Sequence, residues 1–146
     1  MESKLILLAE DDANDAELTT RALDLEEDAQ SLILLRDGVA VLDYLYRRGP
    51  YATREPGNPA LVLLDLKMPR INGLDVLRQI KGDETLSLIP VVVLTSSAQH
   101  RDILEAYRLG ANAYVVKPVE FERFAETLRL LSAFWAKVNI PPPHPE

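Results

Sequence analysis

The sequence of 146 residues contains no cysteine. That excludes disulfide staples, thiolate zinc sites and thiol nucleophiles, suits a reducing compartment, and leaves oxygen donors to supply any metal site. Long hydrophobic runs are also missing. No segment approaches the roughly 20 apolar residues that cross a bilayer, and Met1-Glu2-Ser3-Lys4 leads into only five apolar residues before an acidic cluster, unlike a secretory leader. A cytoplasmic protein with no membrane partner is expected. Bases are scarce relative to acids, with 16 Lys+Arg against 23 Asp+Glu and a formal charge of -7. The surplus is local: Met1–Asp28 holds ten acids against Lys4 and Arg21, net -8, while the remainder is close to neutral at +1. Duplex affinity rests on clustered Lys and Arg that neutralise phosphates. No nucleic-acid partner is therefore expected.

What is present is enough for a core. With 47% hydrophobic and 27% charged residues in 146 positions, the chain fits one globular domain and falls outside the disordered class. Four short apolar runs, Leu5–Ala9, Leu61–Leu64, Val91–Leu94 and Tyr114–Val116, have the length and β-branched content of strands buried on both faces. Leu32–Leu35 is a fifth. Between them, apolar residues recur at helical spacing over Ala13 to about Glu26, Val39–Tyr46, Leu74–Lys81, Arg101–Leu109 and Phe121–Lys137, which predicts amphipathic helices. Five β-α repeats argue for a doubly wound, open parallel sheet.

Punctuation agrees with this division. Asp37-Gly38, Asn72-Gly73 and Gly110 sit at helix borders, and Pro69, Pro90 and Pro118 flank strand ends, where a missing N–H does least harm. The polar stretch from about Arg47 to Pro59 is a long surface connection. Pro141-Pro142-Pro143-His144-Pro145 cannot be helical and reads as an extended, mobile tail. The expected division is a domain over 1–137 and a tail over 138–146.

In a doubly wound sheet, sites form beyond the carboxyl ends of the strands. Those ends carry Glu10-Asp11-Asp12, Asp65, Thr95-Ser96-Ser97 and Lys117-Pro118: carboxylates faced by a hydroxyl and an ammonium. Clustered carboxylates repel unless a cation intervenes. Magnesium, which takes few protein oxygens and keeps waters, fits two or three carboxylates plus a phosphate oxygen better than calcium does. A carboxylate beside such an ion can attack phosphorus. Asp65, alone at its strand end, is the candidate nucleophile, and the adjacent Glu10 and Asp11 suit metal holding. Thr95 and Lys117 fit the far side of a phosphoryl group as hydroxyl donor and point charge. Each residue alone has a plainer reading, and Asp11 or Asp12 also suits an N-cap for the helix from Ala13. It is the conjunction on four strands that points to phosphoryl chemistry. The Lys117-Pro118 bond is one where a cis form costs only roughly 0.5–1 kcal/mol.

This pattern resembles the receiver domain of two-component response regulators. The residues that carry the resemblance are Glu10-Asp11, Leu64-Asp65-Leu66-Lys67-Met68-Pro69 with Asn72-Gly73, Thr95-Ser96 and Lys117-Pro118, within a match from about Lys4 to Trp135. The resemblance implies a flavodoxin-like sheet of order 2-1-3-4-5 with five helices, and phosphorylation of Asp65 from a phosphohistidine on a sensor histidine kinase. It implies that Asp11, Asp65 and the main-chain carbonyl of Lys67 ligate Mg2+, with Glu10 acting directly or through water. It further implies that Thr95 is the switch hydroxyl, that Ser96 contacts phosphate through its N–H, and that Lys117 pairs with phosphate. Asp12 lies one place beyond the family's acidic pair, which leaves capping as its role. Tyr114 falls where the family places a switch aromatic; a packed aromatic on an edge strand is the other reading. His100 is read as the start of the fourth helix.

The acidic run Glu10–Leu18, the connection through Tyr51–Pro59 and Ser87-Leu88-Ile89-Pro90 are similar to single-domain regulators that partner phytochrome-type kinases. A stand-alone, non-enzymatic phosphoacceptor switch is expected, with a homodimer as one use for the apolar last helix and core packing as the other. A haloacid-dehalogenase-type phosphohydrolase would also pair an Asp nucleophile with magnesium and Lys, but it wants a second Asp where Lys67 stands. A phosphorylation-independent interaction module is the remaining alternative, weakened because every reactive position is filled.

Overall fold

A computed structural model describes residues 5–24 and 32–143. Five strands, β1 (Ile6–Ala9), β2 (Leu32–Leu35), β3 (Leu61–Leu64), β4 (Val91–Thr95) and β5 (Ala113–Val116), alternate with helices α1 (Ala13–Asp24), α2 (Gly38–Tyr46), α3 (Gly73–Gly82), α4 (His100–Arg108) and α5 (Phe121–Ser132). The sheet is wholly parallel in the order β2-β1-β3-β4-β5, as expected. Parallel strands need both faces covered, and alternation along each strand does this. Leu7, Ala9, Val62, Leu64, Val91 and Val93 pack under α2, α3 and α4, while Ile6, Leu8, Leu61, Leu63, Val92 and Leu94 pack under α1 and α5.

The turn residues act as the sequence suggests. Asp37 caps α2 by accepting from Ala40 N–H at 2.8 Å, and Asn72 caps α3 by accepting from Asp75 N–H at 3.0 Å. Asp12 accepts from Asp15 N–H at 2.9 Å, which gives it the capping role at α1. At Gly73 a Cβ would stand 2.3 Å from the Asp65 carbonyl oxygen. Only glycine lets α3 approach the backbone of β3's end so closely.

One expectation changes. The last helix does not run unbroken to Lys137: after Ser132 it widens into a π-helical turn over Ala133–Val138, closed by Asn139 N–H to Phe134 C=O at 2.6 Å. The wider turn buries Ala136 in the α1–α5 layer and sets the Phe134 and Trp135 rings edge to face at 5.1 Å. Among the described residues every peptide bond is trans, Lys117-Pro118 included. Pro141–Pro143 line a cleft of about 630 Å³ beside the 54–60 segment. The expected end of the first helix near Glu26 and the end of the proline-rich tail fall in 25–31 and 144–146, outside the described residues.

Candidate functional site

Register places the site. Ala9 pairs with Leu64, Leu64 with Val93, and Thr95 with Val116, so the carboxyl ends of β1, β3, β4 and β5 finish together. The ladder continues one step past three of those ends. Glu10 N–H donates to Leu35 C=O at 3.0 Å, Asp65 N–H to Ala9 C=O at 3.1 Å, and Lys117 N–H to Thr95 C=O at 2.7 Å. The backbones of the reactive residues are thus held on the sheet's own rails, and their side chains converge.

At the centre is the Lys117 ammonium. It donates to Glu10 Oε1, to Asp15 Oδ2 at 2.9 Å and to Asp65 Oδ2 at 3.1 Å. All three of its protons have a carboxylate acceptor, the strong charge-assisted kind. Glu10, Asp65 and Lys117 are nearly removed from water, at 2%, 9% and 8% side-chain exposure, whereas Asp15 is at 36%. The second oxygens are also engaged: Glu10 Oε2 accepts from Asp12 N–H at 3.1 Å, and Asp65 Oδ1 from Lys67 N–H at 3.2 Å.

The electrostatics follow from this enclosure. Burial pushes the Glu10 carboxyl up to about 7, opposed by its hydrogen bond from Lys117 and reinforced by the field of Asp65. Burial alone would lower Lys117, but hydrogen bonds to Asp15 and Glu10 together with the charge of Asp65 outweigh it and hold the ammonium above its ordinary value. Lys117 therefore stays cationic across the physiological range.

Thr95, fully buried, ends β4, and its hydroxyl accepts a long bond from Ser97 N–H at 3.5 Å. The Tyr114 hydroxyl donates to Ser97 C=O at 2.9 Å, and its half-buried ring packs against the α2–α4 layer. Ser97 is tied in turn to Asp102 of α4 at 2.5 Å. Ser96 is exposed and lines a cleft of about 220 Å³ with Asp15, Lys117, Pro118, Val119 and Phe121.

The structure thus brings Glu10, Asp65 and Lys117 into direct contact and leaves Thr95 and Tyr114 joined to one another through Ser97. Asp11 stands at the rim, its side chain exposed and its carbonyl accepting from Arg36 at 2.6 Å. Among the described residues no three carboxylate or imidazole side chains are already gathered as a metal cage. The donor chemistry nonetheless suits a hard cation. Glu10 and Asp65 meet at one ammonium with Asp11 at the rim, and oxygen is the only kind of donor they offer. Sequence reasoning missed Asp15, counting it among the ten acids of the first 28 residues. The available signal was its place in the first turn of a helix that starts directly behind Glu10-Asp11.

Residues 6–129 match the family model described as "Response regulator receiver domain". The chain is a response regulator receiver domain. This receiver is 40% identical over 141 residues to the probable methanogenesis regulatory protein FilR2 of Methanothrix harundinacea, covering 94% of this chain and 87% of that protein. It is 36% identical over 139 residues to response regulator Rcp1 of Synechocystis sp., covering 94% and 93%. Among solved structures, the phosphorylated cyanobacterial phytochrome response regulator RcpA superposes with a TM-score of 0.91 at 35% identity, covering 97% of this receiver and 99% of that chain. The Mn2+-bound form of Rcp1 gives 0.88 at 34%, covering 95% and 99%. The bacteriophytochrome response regulator RtBRR gives 0.78 at 51%, covering 99% and 86%. Proteins of this family pair with histidine kinases, and their domains serve as signalling switches. Among the described residues no helix is long and apolar enough to cross a membrane.

Proposed function

We propose that this receiver takes a phosphoryl group onto Asp65 from the phosphohistidine of a sensor kinase and switches its own surface in response. One observation carries the reading: Asp65, buried and held on the β1–β3 ladder, directs one carboxylate oxygen at an ammonium that the fold keeps charged. An oxygen of Asp65 forms the new bond to phosphorus as the P–N bond to the donor imidazole breaks. The imidazole keeps the electron pair and takes up a proton from water. Glu10, Asp11, Asp65 and the Lys67 carbonyl would hold Mg2+, which supplies charge neutralisation to the transferring group when bound. The manganese-bound form of Rcp1 supports a divalent cation here.

Phosphorylation adds about -1.5 to -2 charges. Lys117 and the N–H of Ser96 receive that charge, and the Thr95 hydroxyl is drawn off its long bond to Ser97 N–H. Because Tyr114 is tied to the same residue's carbonyl, movement of Thr95 frees the β4–α4 connection and the Tyr114 ring together. The result is a shift between two pre-existing arrangements at α4, β5 and α5, read by a partner or by a second copy.

The kinase is of phytochrome type in this reading, supported by RcpA and RtBRR, with phosphotransfer in the cytoplasm. The likeness to FilR2 makes the partner the point to test. A panel of purified kinases, phytochrome and non-phytochrome, is expected to show fast phosphotransfer to this receiver from a phytochrome-type member and none to Asp65→Asn. Preferential transfer from a non-phytochrome kinase would overturn the pathway and keep the switch. Equal transfer to Asp65→Asn would remove the switch itself.

A further inference from the structure

Of the three carboxylates on Lys117, two are committed elsewhere when the receiver works. This inference rests on the reading of Asp65 as phosphoacceptor: Asp65 then carries the phosphoryl group, and Glu10 turns to the cation. Asp15 has neither task. It sits on α1 rather than on a strand end, and the helix holds it firmly. Its N–H donates to the Asp12 cap at 2.9 Å, and its carbonyl accepts from the Thr19 hydroxyl at 2.7 Å. As an acid in the first turn, its charge is favoured by the helix N-terminus. We propose that Asp15 is a positioning residue, the fixed anchor that keeps the Lys117 ammonium aimed at the phosphoryl group on Asp65 while its other two partners change.

The alternative is a competing charge that weakens Lys117 and repels the phosphoryl group. Magnitudes favour anchoring. Asp15 is 36% exposed, so water screens its field toward phosphorus, while a direct 2.9 Å bond removes most of the freedom of a long lysine side chain. Ordering a lysine side chain costs rotamer entropy. A catalytic group already held in place does not pay that cost again at each transfer.

The two accounts separate by sign. With acetyl phosphate as donor and saturating Mg2+, Asp15→Ala is expected to slow labelling of Asp65 about ten-fold. Asp15→Asn, which keeps an acceptor oxygen without the charge, is expected to recover most of the rate. The half-saturating Mg2+ concentration should stay as in wild type, because Asp15 is not among the residues assigned to the metal. The Lys117 Nζ–H resonance is expected to be sharp in the unphosphorylated wild type, to broaden in Asp15→Ala and to return in Asp15→Asn. Labelling of Asp15→Ala at or above the wild-type rate would overturn the anchor, as would an Asp15→Asn rate no better than Asp15→Ala, or a Mg2+ requirement shifted in step with the rate. Asp65→Asn is run beside these variants. If it still labels, the phosphoacceptor assignment has failed; if it does not, a failure among the Asp15 variants belongs to the anchor alone.

Discussion

Glu10 is the residue whose chemistry depends most on what surrounds it. In water a glutamate ionises near 4.5, and here burial raises it to about 7. The folded, metal-free receiver therefore binds more protons than the unfolded chain between those values, and unfolding becomes easier as pH rises through that window. The stabilisation from this group is complete below about pH 4.5 and lost above about 7. Thermal unfolding in the presence of a chelator is expected to show that decline in wild type and to lack it in Glu10→Gln; an identical slope in both would contradict the assignment. Strand-end spacing exposed Glu10, Asp65, Thr95 and Lys117 in the sequence, because a parallel sheet turns linear position into shared position. It did not expose that one ammonium would meet three carboxylates. Pairing between β5 and α1 spans about a hundred positions, and nothing local encodes it. Asp15 was overlooked for that reason.

The elements add their own constraints. The close approach of α3 to the end of β3 leaves no room for a methyl group at Gly73, where a Cβ would stand 2.3 Å from the Asp65 carbonyl and 2.5 Å from Leu66 Cα. Gly73→Ala is expected to cost about 1–3 kcal/mol by overpacking, toward the upper end because both neighbours are backbone. It should also slow phosphorylation, since what yields is the segment carrying Asp65. Denaturant unfolding and labelling measured on one sample check both; unchanged labelling at reduced stability would separate the glycine from the site. Lys81, on α3, plays a comparable part away from the chemistry. Its buried ammonium donates to the carbonyls of Ser87 and Ile89 and to Asn112 Oδ1 at 2.7–3.1 Å, fastening α3 to the entries of β4 and β5. Lys81→Met leaves those acceptors short of a donor and is expected to destabilise by about 1–3 kcal/mol, with phosphorylation intact. Periodicity gave the helices to within a residue or two at most borders. It failed at the π turn after Ser132, where the apolar spacing of Phe134 and Trp135 fits an α-helix equally well and only packing selects the wider turn.

For the molecule as a whole, the parallel register makes one pole of the sheet reactive, and Glu10, Asp11, Asp12 and Asp15 of the acidic first segment lie at that pole. Three carboxylates on one ammonium, with Asp11 at the rim, leave an uncompensated negative charge that a divalent cation would offset. Mg2+ at a hundred-fold excess over its Kd is expected to stabilise the receiver by roughly 2.7 kcal/mol, a rise in Tm that a chelator reverses and that Asp11→Asn diminishes. A Tm indifferent to Mg2+ would count against the metal assignment. The fold was readable from the sequence because alternating strands and helices leave few alternatives. Its partner was not, because recognition depends on surface residues that no periodicity constrains. The central claim concerns one carboxylate. Incubation with acetyl phosphate and Mg2+, followed by mass mapping of the phosphorylated peptide, is predicted to place a single base-labile, hydroxylamine-sensitive phosphoryl group on Asp65 and to find none in Asp65→Asn. A phosphoryl group on another residue, or undiminished labelling of the mutant, would contradict the account.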